Sequence, residues 1–346
     1  MVILEDTLKQ VKRLPTLRVN TLKSTLLQIE ENLRTAHIAY ELCSILPHSI
    51  ILKNYSDEKK LRSLDIYKNG EIYLQGISSQ IPVHYFTHPH NTSQGSPLPG
   101  EMKQQIRILD ACAAPWGKTS QLAEMFPHAE IWAFESSKIR HEKMLYNFKK
   151  LGISTLDTSH NPPLPQVICI HDKIENISKH IFSSFLLSEE RIQGRAMGEK
   201  KEKSLEYFDM ILVDAPCSWE GSLTYHNTKF LENWSLSHIK KNYARQKAIC
   251  DTVLPYLKTG WEMIYSTCTL APEENEAVIH YLLCKYPELS LEKLDIIDNK
   301  YIKYKEALKS FWKNIFRKKV VECTLRVTPS KFSEWFYIAK FKKWIE

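Results

Sequence analysis

The chain has 346 residues, of which 43% are hydrophobic and 25% charged, and this balance excludes a disordered or collagen-like chain. Its length suffices for one large domain and a smaller one. The net charge is +7, and residues 300–346 hold 13 Lys/Arg against four Asp/Glu, which fits a phosphate-backbone partner and fits a solvated lysine face equally well.

The cysteines and the apolar runs bear on the compartment. Eight cysteines are scattered without a Cys-x-x-Cys pair, and no run of 18 apolar residues could span a bilayer. The first ten residues carry Glu5 and Asp6 and no long apolar stretch, so no signal peptide is expected. We therefore expect a cytoplasmic protein with free thiols and no membrane partner, in which single cysteines are candidates for chemistry.

Residues 1–87 are predicted to form a small domain of helices and strands. Ser24 is expected to cap a helix, and short strands are expected around Ile50–Leu52 and Ile72–Leu74. Residues 88–104 are rich in Gly, Pro, Ser and Asn and are interpreted as a linker.

Three histidines, His84, His88 and His90, stand at the start of this linker with a spacing that could bind a metal ion. No carboxylate or cysteine accompanies them. We therefore interpret them as part of an exposed loop and expect no metal site.

From residue 105 to residue 346 the pattern is one of short apolar runs that alternate with helical stretches. Five strands are predicted in this region: Ile106–Leu109, Ile131–Phe134, Val167–Ile170, Met210–Val213 and Met263–Tyr265. A helix is predicted from Ser137 to Leu151, where Gly152 ends it. This alternation predicts a doubly wound, mostly parallel α/β sheet, and the charged residues 188–206 are interpreted as a solvated insertion.

Four of the predicted strands are followed at once, or nearly so, by an acid. These acids are Asp110, Glu135, Asp172 and Asp214. Ligands of doubly wound sheets bind at the carboxyl ends of the strands, so the four acids are predicted to line a ligand site.

Three short motifs stand at the same predicted edge. Residues 110–119, DACAAPWGKT, open a helix, and their small side chains would let backbone N–H groups approach a ligand. A Walker A loop would need glycine where Cys112 stands, so that interpretation fails. The sequences DAPCS at 214–218 and YSTCT at 265–269 each place a cysteine directly after a strand. A lone cysteine is more often a small buried hydrophobe, but two at the ligand edge of one sheet favour chemistry.

These three motifs, in this order and spacing, resemble the RNA 5-methylcytosine methyltransferases of the RsmB/NOL1/NOP2/Sun (NSUN) family. The resemblance is weak at residues 18–23 and 75–80, strong from 109 to 283, and returns at 336–340. It implies a Rossmann-like class I methyltransferase sheet in residues 105–346, preceded by a small α+β RNA-binding domain. It also implies an enzyme that uses S-adenosylmethionine and acts on ribosomal or transfer RNA, and we expect a monomer.

The resemblance implies a role for each residue of the predicted edge. The loop would wrap the methionine part of the cofactor with residues Cys112, Ala113, Ala114, Pro115, Trp116, Gly117 and Lys118. Glu135 would bind the ribose hydroxyls, Asp172 would lie by the adenine, and Asp214 would lie near the methyl donor and the base.

The two cysteines are implied to carry the chemistry. C5 of cytosine is a poor nucleophile, and Cys268 matches the family residue that adds to C6 as a thiolate. Cys217 matches the family cysteine that is needed to release the methylated product. Asp214 and Lys118 would bind the polar edge of the base and stabilise the charged adduct. Arg18 and Lys23, in the N-terminal region, are expected to contact RNA.

Two alternatives remain at this point. One is a catalytically inactive RNA-binding homologue. A DNA 5-methylcytosine methyltransferase is disfavoured, because those enzymes resemble this mechanism but use the Pro-Cys position as nucleophile and lack the cysteine of the third motif.

An unusual composition bears on the first alternative. Only 10 of the 346 residues are glycine, which is well below the usual share of ~7%, whereas 8 residues are tryptophan. Four tryptophans stand where the family carries glycine: Trp116, Trp219, Trp261 and Trp335. An indole at Trp116 would crowd the cofactor. Our hypothesis is that the gene uses UGA for glycine and that UGA was translated as tryptophan.

Overall fold

The computed structural model describes residues 13–86, 105–113, 117–155, 166–189, 206–219, 235–295, 300–311 and 314–344. In this part of the chain the strands form a four-stranded sheet, a ten-stranded sheet and a two-stranded hairpin. The four-stranded sheet belongs to the N-terminal residues, and the ten-stranded sheet takes up most of the rest.

The strands alternate with helices along the chain. The strands are β1 (Thr16–Val19), β2 (Tyr40–Leu42), β3 (Ser49–Leu52), β4 (Ile72–Leu74), β5 (Arg107–Asp110), β6 (Glu130–Phe134), β7 (Ser154–Thr155), β8 (Gln166–Ile170), β9 (Phe208–Asp214), β10 (Leu257–Thr267), β11 (Leu289–Glu292), β12 (Lys303–Glu306), β13 (Ser310–Phe311), β14 (Asn314–Ile315), β15 (Leu325–Thr328) and β16 (Phe336–Lys343). The α-helices are α1 (Leu26–Thr35), α2 (Asp57–Ser63), α3 (Asp65–Lys68), α4 (Ile77–His84), α5 (Gly117–Met125), α6 (Lys138–Leu151), α7 (Ile177–Glu189), α8 (Leu236–Val253), α9 (Glu276–Lys285) and α10 (Lys318–Cys323).

The large sheet has the strand order β12-β15-β16-β10-β9-β5-β6-β8-β7, and β11 also pairs with β16. Strands β5 to β10 are parallel to one another, whereas β16 pairs with β10 in the antiparallel direction and the other C-terminal strands are antiparallel as well. Strand β5 has β6 on one side and β9 on the other, so the chain reverses its direction of winding there. Such a switch point opens a crevice at the carboxyl ends of the strands.

The doubly wound sheet predicted from the sequence is confirmed. All five predicted strands are found, β5 shifted by one residue and the other four extended at one or both ends. Helix α6 ends at Gly152, whose φ of +75° is a left-handed conformation that favours glycine. The central strands are buried on both faces: Leu109 and Ile211 contribute to one hydrophobic core, and Ile108 and Met210 contribute to the other. Both faces are covered because helices pack on each side, as is usual for parallel sheets.

The N-terminal sheet has the order β2-β3-β1-β4 and its own small core, which includes Leu17 and Leu33. The predicted cap was wrong by one residue. Thr25 caps helix α1 and forms a capping box with Gln28, whereas the hydroxyl of Ser24 contacts the Gln28 side chain only. Residues Ile77 and Ile81 of α4 share a core with the large sheet, so the two units pack tightly; the boundary at residue 87 stays a prediction. The linker residues 88–104 and residues 190–205 of the predicted insertion lie outside the described residues.

The basic C-terminal region is a set of sheet strands in which several charges are neutralised internally. Arg326 forms an ion pair with Glu276 at 2.5 Å, and Lys343 forms one with Glu206 at 3.1 Å. Lys340 contacts Glu262 at 2.9 Å. Part of the basic charge that suggested an RNA partner therefore stabilises the protein itself.

Candidate active site

The carboxyl ends of β5, β6, β8, β9 and β10 meet around a cavity of about 500 Å³. The cavity is lined by the acids Glu135, Asp172 and Asp214, by Lys118 of α5, and by both Cys217 and Cys268. The structure thus brings together three of the four predicted acids and both cysteines, whereas Asp110 is 1% exposed and does not line this cavity.

Asp110, at the end of β5, holds the two ends of the loop between β5 and α5. One carboxylate oxygen accepts a hydrogen bond from the backbone N–H of Cys112 at 3.3 Å, and the other accepts one from the Thr119 hydroxyl at 2.7 Å. Burial raises the pKa of Asp110 to about 7. Cys112, Ala113, Gly117 and Lys118 of the predicted cofactor loop are described; Ala114, Pro115 and Trp116 lie outside the described residues.

Glu135 follows β6 and presents a nearly buried carboxylate to the cavity. One oxygen accepts a hydrogen bond from the backbone N–H of Ser137 at 2.7 Å, and Arg140 lies 3.5 Å from the other. A carboxylate held in this way can accept hydrogen bonds from a pair of hydroxyl groups.

Asp172 lies two residues after β8 and is fixed by three donors. One oxygen accepts from the Lys173 N–H and from the Asn176 side-chain amide, each at 2.7 Å, and His180 Nε2 lies 3.0 Å from the other. These hydrogen bonds, that of His180 first, lower the pKa of Asp172 to about 2. The His180 ring also packs edge-on against Phe134, which lines the cavity.

The two cysteines face each other across neighbouring parallel strands. Asp214 of β9 pairs in register with Ser266 of β10, so the turns that follow both strands lie side by side. The sulfur atoms of Cys217 and Cys268 are 3.3 Å apart. The hydrogen bond to Cys268, together with burial, raises the pKa of the Cys217 thiol well above its usual range, so Cys217 is protonated at neutral pH.

Lys118 is held beside the cysteines. Its Nζ donates to Asp214 Oδ2 at 2.8 Å and to the Ser79 hydroxyl at 3.1 Å, and it lies 4.9 Å from the centre of the Phe336 ring. The other oxygen of Asp214 accepts from the Ser266 hydroxyl at 2.7 Å. The ammonium group and the carboxylate are therefore fixed on the wall of the cavity.

Sequence reasoning missed the residues that lock the two cysteine turns together. The Ser218 hydroxyl lies 2.7 Å from the Thr269 hydroxyl, and the Ser218 N–H donates to Glu274 at 3.1 Å. Gln246 of α8 donates to the same oxygen of Glu274 at 2.8 Å. Glu274 is fully buried. The only signal in the sequence was that the cysteines are followed by hydroxyl residues.

Arg18 and Lys23, both predicted to contact RNA, are engaged with the protein. Arg18 is 3% exposed and forms an ion pair with Glu124 of α5. Lys23 is exposed, but its Nζ donates to the carbonyl oxygens of Asn69 and Lys150 at 2.8 and 2.7 Å. The Arg18 guanidinium is therefore buried against α5, and the RNA contacts expected of Arg18 and Lys23 stay predictions.

The tryptophans at family glycine positions differ in their fit. Trp219 lines the cavity with a backbone φ of +63°, a left-handed conformation that is a genuine outlier for a bulky residue. The buried indole N–H of Trp335 has no hydrogen-bond partner among the described residues. Trp261 is partly buried and packs against the cores on both sides of the sheet. Trp116 lies outside the described residues.

Two absences among the described residues concern a metal site and a membrane-spanning helix. No group of three or more His, Cys, Asp or Glu residues is placed there to hold a metal ion. His84 is described, whereas His88 and His90 lie outside the described part of the chain. None of the described helices combines the length and the apolar character needed to cross a membrane.

The sheet order, the switch point and the cavity at the strand ends define a class I, S-adenosylmethionine-dependent methyltransferase fold. A methyltransferase homologue from Pyrococcus horikoshii superposes with a TM-score of 0.71 at 24% identity, covering 98% of this chain and 88% of that chain. NSun6 from Pyrococcus horikoshii, with the S-adenosylmethionine analogue SFG, superposes with a TM-score of 0.67 at 18% identity, covering 99% and 94%.

The sequence model for the family "16S rRNA methyltransferase RsmB/F" matches residues 99–174 and 185–342, and the chain belongs to this family. The ribosomal RNA small subunit methyltransferase F of Erwinia tasmaniensis is 28% identical over 334 residues, which cover 95% of this chain and 57% of that protein. Its counterpart from Klebsiella pneumoniae is 30% identical over 239 residues, which cover 69% and 40%. The chain thus spans about half the length of the curated relatives it matches.

Proposed function

We propose that the protein methylates C5 of cytosine in RNA, with ribosomal RNA as the first candidate substrate and S-adenosylmethionine as the methyl donor. The observation that carries the proposal is the pair of thiols 3.3 Å apart at the ends of β9 and β10, beside Lys118 and Asp214. A paired thiol site next to a fixed cation and carboxylate is suited to covalent activation of a pyrimidine ring.

The hydrogen-bond acceptors that line the cavity fit the cofactor. The fixed carboxylate of Glu135 would accept from the ribose hydroxyls, and the ionised carboxylate of Asp172 would accept from the adenine amino group. The described loop residues Cys112, Ala113, Gly117 and Lys118 would contact the methionine part, together with Ala114, Pro115 and Trp116. When bound, the cofactor supplies an electrophilic methyl group.

The protein side of the reaction follows from the thiols. The Cys268 thiolate forms a bond to C6 of cytosine, and the electron pair of the C5–C6 double bond becomes available at C5, which is thereby made nucleophilic. Lys118 and Asp214 would bind the polar edge of the base while this charge develops. After C5 is methylated, loss of its proton restores the double bond and expels Cys268. Cys217 would assist this release. The base must leave any stack to reach the thiols.

Transfer of labelled methyl groups to RNA tests this proposal. Purified protein, S-adenosylmethionine and unmodified ribosomal or transfer RNA should yield 5-methylcytidine, identified by mass spectrometry of nucleosides. Cys284→Ala serves as a matched control for Cys268→Ala, because Cys284 is exposed and outside the cavity. Methylation at another atom or of another base would contradict the proposed chemistry. Bisulfite sequencing of RNA from a knockout would then locate the cytosine.

The second candidate is a catalytically inactive RNA-binding homologue, and the indole of Trp219 in the cavity favours it. The backbone of the same residue favours glycine instead, in agreement with the hypothesis of UGA codons. DNA sequencing distinguishes these cases. UGG codons at Trp116, Trp219, Trp261 and Trp335 would support the inactive homologue, and loss of cofactor binding in the printed sequence would strengthen it. UGA codons at these four positions would mean that the natural protein carries glycine there and is an active enzyme.

A further inference from the structure

Side chains of the N-terminal unit hold the first turns of α5, the helix that begins at the end of the predicted cofactor loop. Arg18 of β1 donates to the Ser120 hydroxyl at 2.8 Å and to the carbonyl oxygen of Gly117 at 3.5 Å. Its Nε donates to the side chain of Gln75 at 3.0 Å, and it forms the buried ion pair with Glu124. One guanidinium thus binds α5 at its first residue and again about one and two turns further along the helix.

The neighbouring contacts reinforce this attachment. Gln121 of α5 donates to the carbonyl oxygen of Gln80 at 2.9 Å and accepts from Gln75 at 3.3 Å. Gly117 allows the close approach, because a Cβ there would lie 3.3 Å from the ring of Tyr73 and 3.5 Å from Gln75. The N-terminal unit and α5 are therefore packed in direct contact, and a Cβ at residue 117 would require the Tyr73 ring to move by a few tenths of an ångström.

The attachment bears on the active site through the position of α5. Lys118, the second residue of the helix, donates to Asp214 at 2.8 Å, so a shift of about 1 Å in α5 would lengthen this hydrogen bond beyond its normal range. The N–H groups of the first turn of α5 have no acceptor within the helix, and they would shift with it.

We propose that Arg18 is a positioning residue, which fixes α5 and thereby the cofactor loop and Lys118, and that it does not contact RNA. Arg18 is 3% exposed, and its guanidinium is bound by Gln75, in the turn after β4, and by Ser120 and Glu124 of α5. Phosphate contacts require a cation that faces the nucleic acid. Its effect on catalysis rests on the function proposed above, whereas its effect on α5 does not.

The variants must separate positioning from unfolding. Arg18→Met alone leaves the Glu124 carboxylate buried without its partner, which can destabilise the whole protein. The double variant Arg18→Met/Glu124→Gln removes both charges at nearly constant volume, so that no unpaired charge is left buried. Arg18→Lys keeps the charge but loses the planar fork that reaches several acceptors. Lys59→Ala and Lys60→Ala, on helix α2 of the same unit, are matched controls for removal of a positive charge.

Hydrogen exchange measures how firmly α5 is held in place, and it requires neither cofactor nor RNA. In the double variant, exchange of the α5 amides should be at least about tenfold faster, while exchange in α6 stays within about twofold. In Arg18→Lys, the exchange rates of the α5 amides should lie between those of the unsubstituted protein and those of the double variant. Unchanged exchange in α5 would overturn the proposal, whether or not the protein binds S-adenosylmethionine.

Binding measurements on the same proteins test the consequence for the site. The double variant should bind S-adenosylmethionine at least about tenfold more weakly and bind RNA within about twofold of the unsubstituted protein. Weaker RNA binding with unchanged cofactor binding would overturn the proposal and restore Arg18 as an RNA contact. If the unsubstituted protein binds no S-adenosylmethionine, the proposed function fails, and the exchange result alone decides the role of Arg18.

Discussion

The ligand edge of the large sheet has two halves that differ in chemistry. The ends of β6 and β8 carry Glu135 and Asp172, which line the cavity, whereas Asp110 at the end of β5 is buried and holds the loop between β5 and α5. The ends of β9 and β10 carry Cys217 and Cys268, whose turns are joined to each other. The first half offers acceptors for binding, and the second offers nucleophiles. Substitutions in one half should therefore leave the task of the other intact.

Removal of the nucleophile should give the largest effect. Cys268→Ala should abolish formation of 5-methylcytidine, because the neighbouring thiol, Cys217, is buried and protonated at neutral pH and so does not replace the Cys268 thiolate. The affinity for S-adenosylmethionine, measured by calorimetry, should change by less than about twofold. Methylation at the normal rate by this variant would refute the assignment, and loss of cofactor binding would refute the division into halves.

The carboxylate half should show a pH-dependent stability. Burial raises the pKa of Asp110 to about 7, so the folded protein binds a proton that the unfolded chain has released. The stabilisation is present at low pH and is lost as the pH rises through 7. The free energy of unfolding should fall by about 2 kcal/mol from pH 5.5 to 7.5 on this account.

Urea unfolding at the two pH values measures this slope. In Asp110→Asn, the fall of about 2 kcal/mol in the free energy of unfolding between the two pH values should be absent. Asp65→Asn, which replaces an exposed carboxylate on α3, should show the same fall as the unsubstituted protein. A slope that is the same in Asp110→Asn and the unsubstituted protein would show that Asp110 is ionised throughout.

His180 should sharpen the assignment of Asp172 to cofactor binding. His180→Ala removes the donor 3.0 Å from the Asp172 carboxylate, and we expect the affinity for S-adenosylmethionine to fall about tenfold, or ~1.4 kcal/mol, with kcat at saturating cofactor unchanged. His180→Gln should recover part of the affinity, because its amide can donate. A lower kcat with unchanged cofactor affinity would place His180 in the chemical half instead.

Trp219 stands in the chemical half, where its backbone should tolerate glycine better than tryptophan. Trp219→Gly should raise the free energy of unfolding by about 1 kcal/mol, because glycine adopts a φ of +63° without strain. Trp344→Gly is the control, since that residue is half-exposed and has no left-handed φ. A loss of stability in Trp219→Gly would contradict the glycine hypothesis at this position.

The sequence predicted the sheet and its ligand edge well, for a physical reason. The apolar runs of buried parallel strands are continuous, and acids or cysteines directly after them must lie at the same edge, as Glu135 and Cys217 do. The bounds were less accurate, since β10 begins at Leu257, six residues before the predicted start at Met263. Leu257 is buried, but residues 258–261 are partly buried or exposed and carry a weak apolar signal.

Contacts between distant segments were not predictable from local patterns. Arg18 resembled a solvent-facing cation, because its partner Glu124 is more than a hundred residues away along the chain. Glu274 stands in a polar stretch that indicates a surface loop, yet it is buried beneath the cysteine turns. Residues of this kind are identified only when the packing of the helices on the sheet is known.

Trapping of RNA on the protein tests the central claim most directly. Cys217→Ala, incubated with unmodified ribosomal RNA and S-adenosylmethionine, should accumulate a covalent protein–RNA complex that survives denaturing electrophoresis, because Cys268 can attack but its release is impaired. The complex should be absent from Cys217→Ala/Cys268→Ala. A complex that persists in the double variant, or free methylated RNA released at the normal rate by Cys217→Ala, would contradict the assignment of the two thiols.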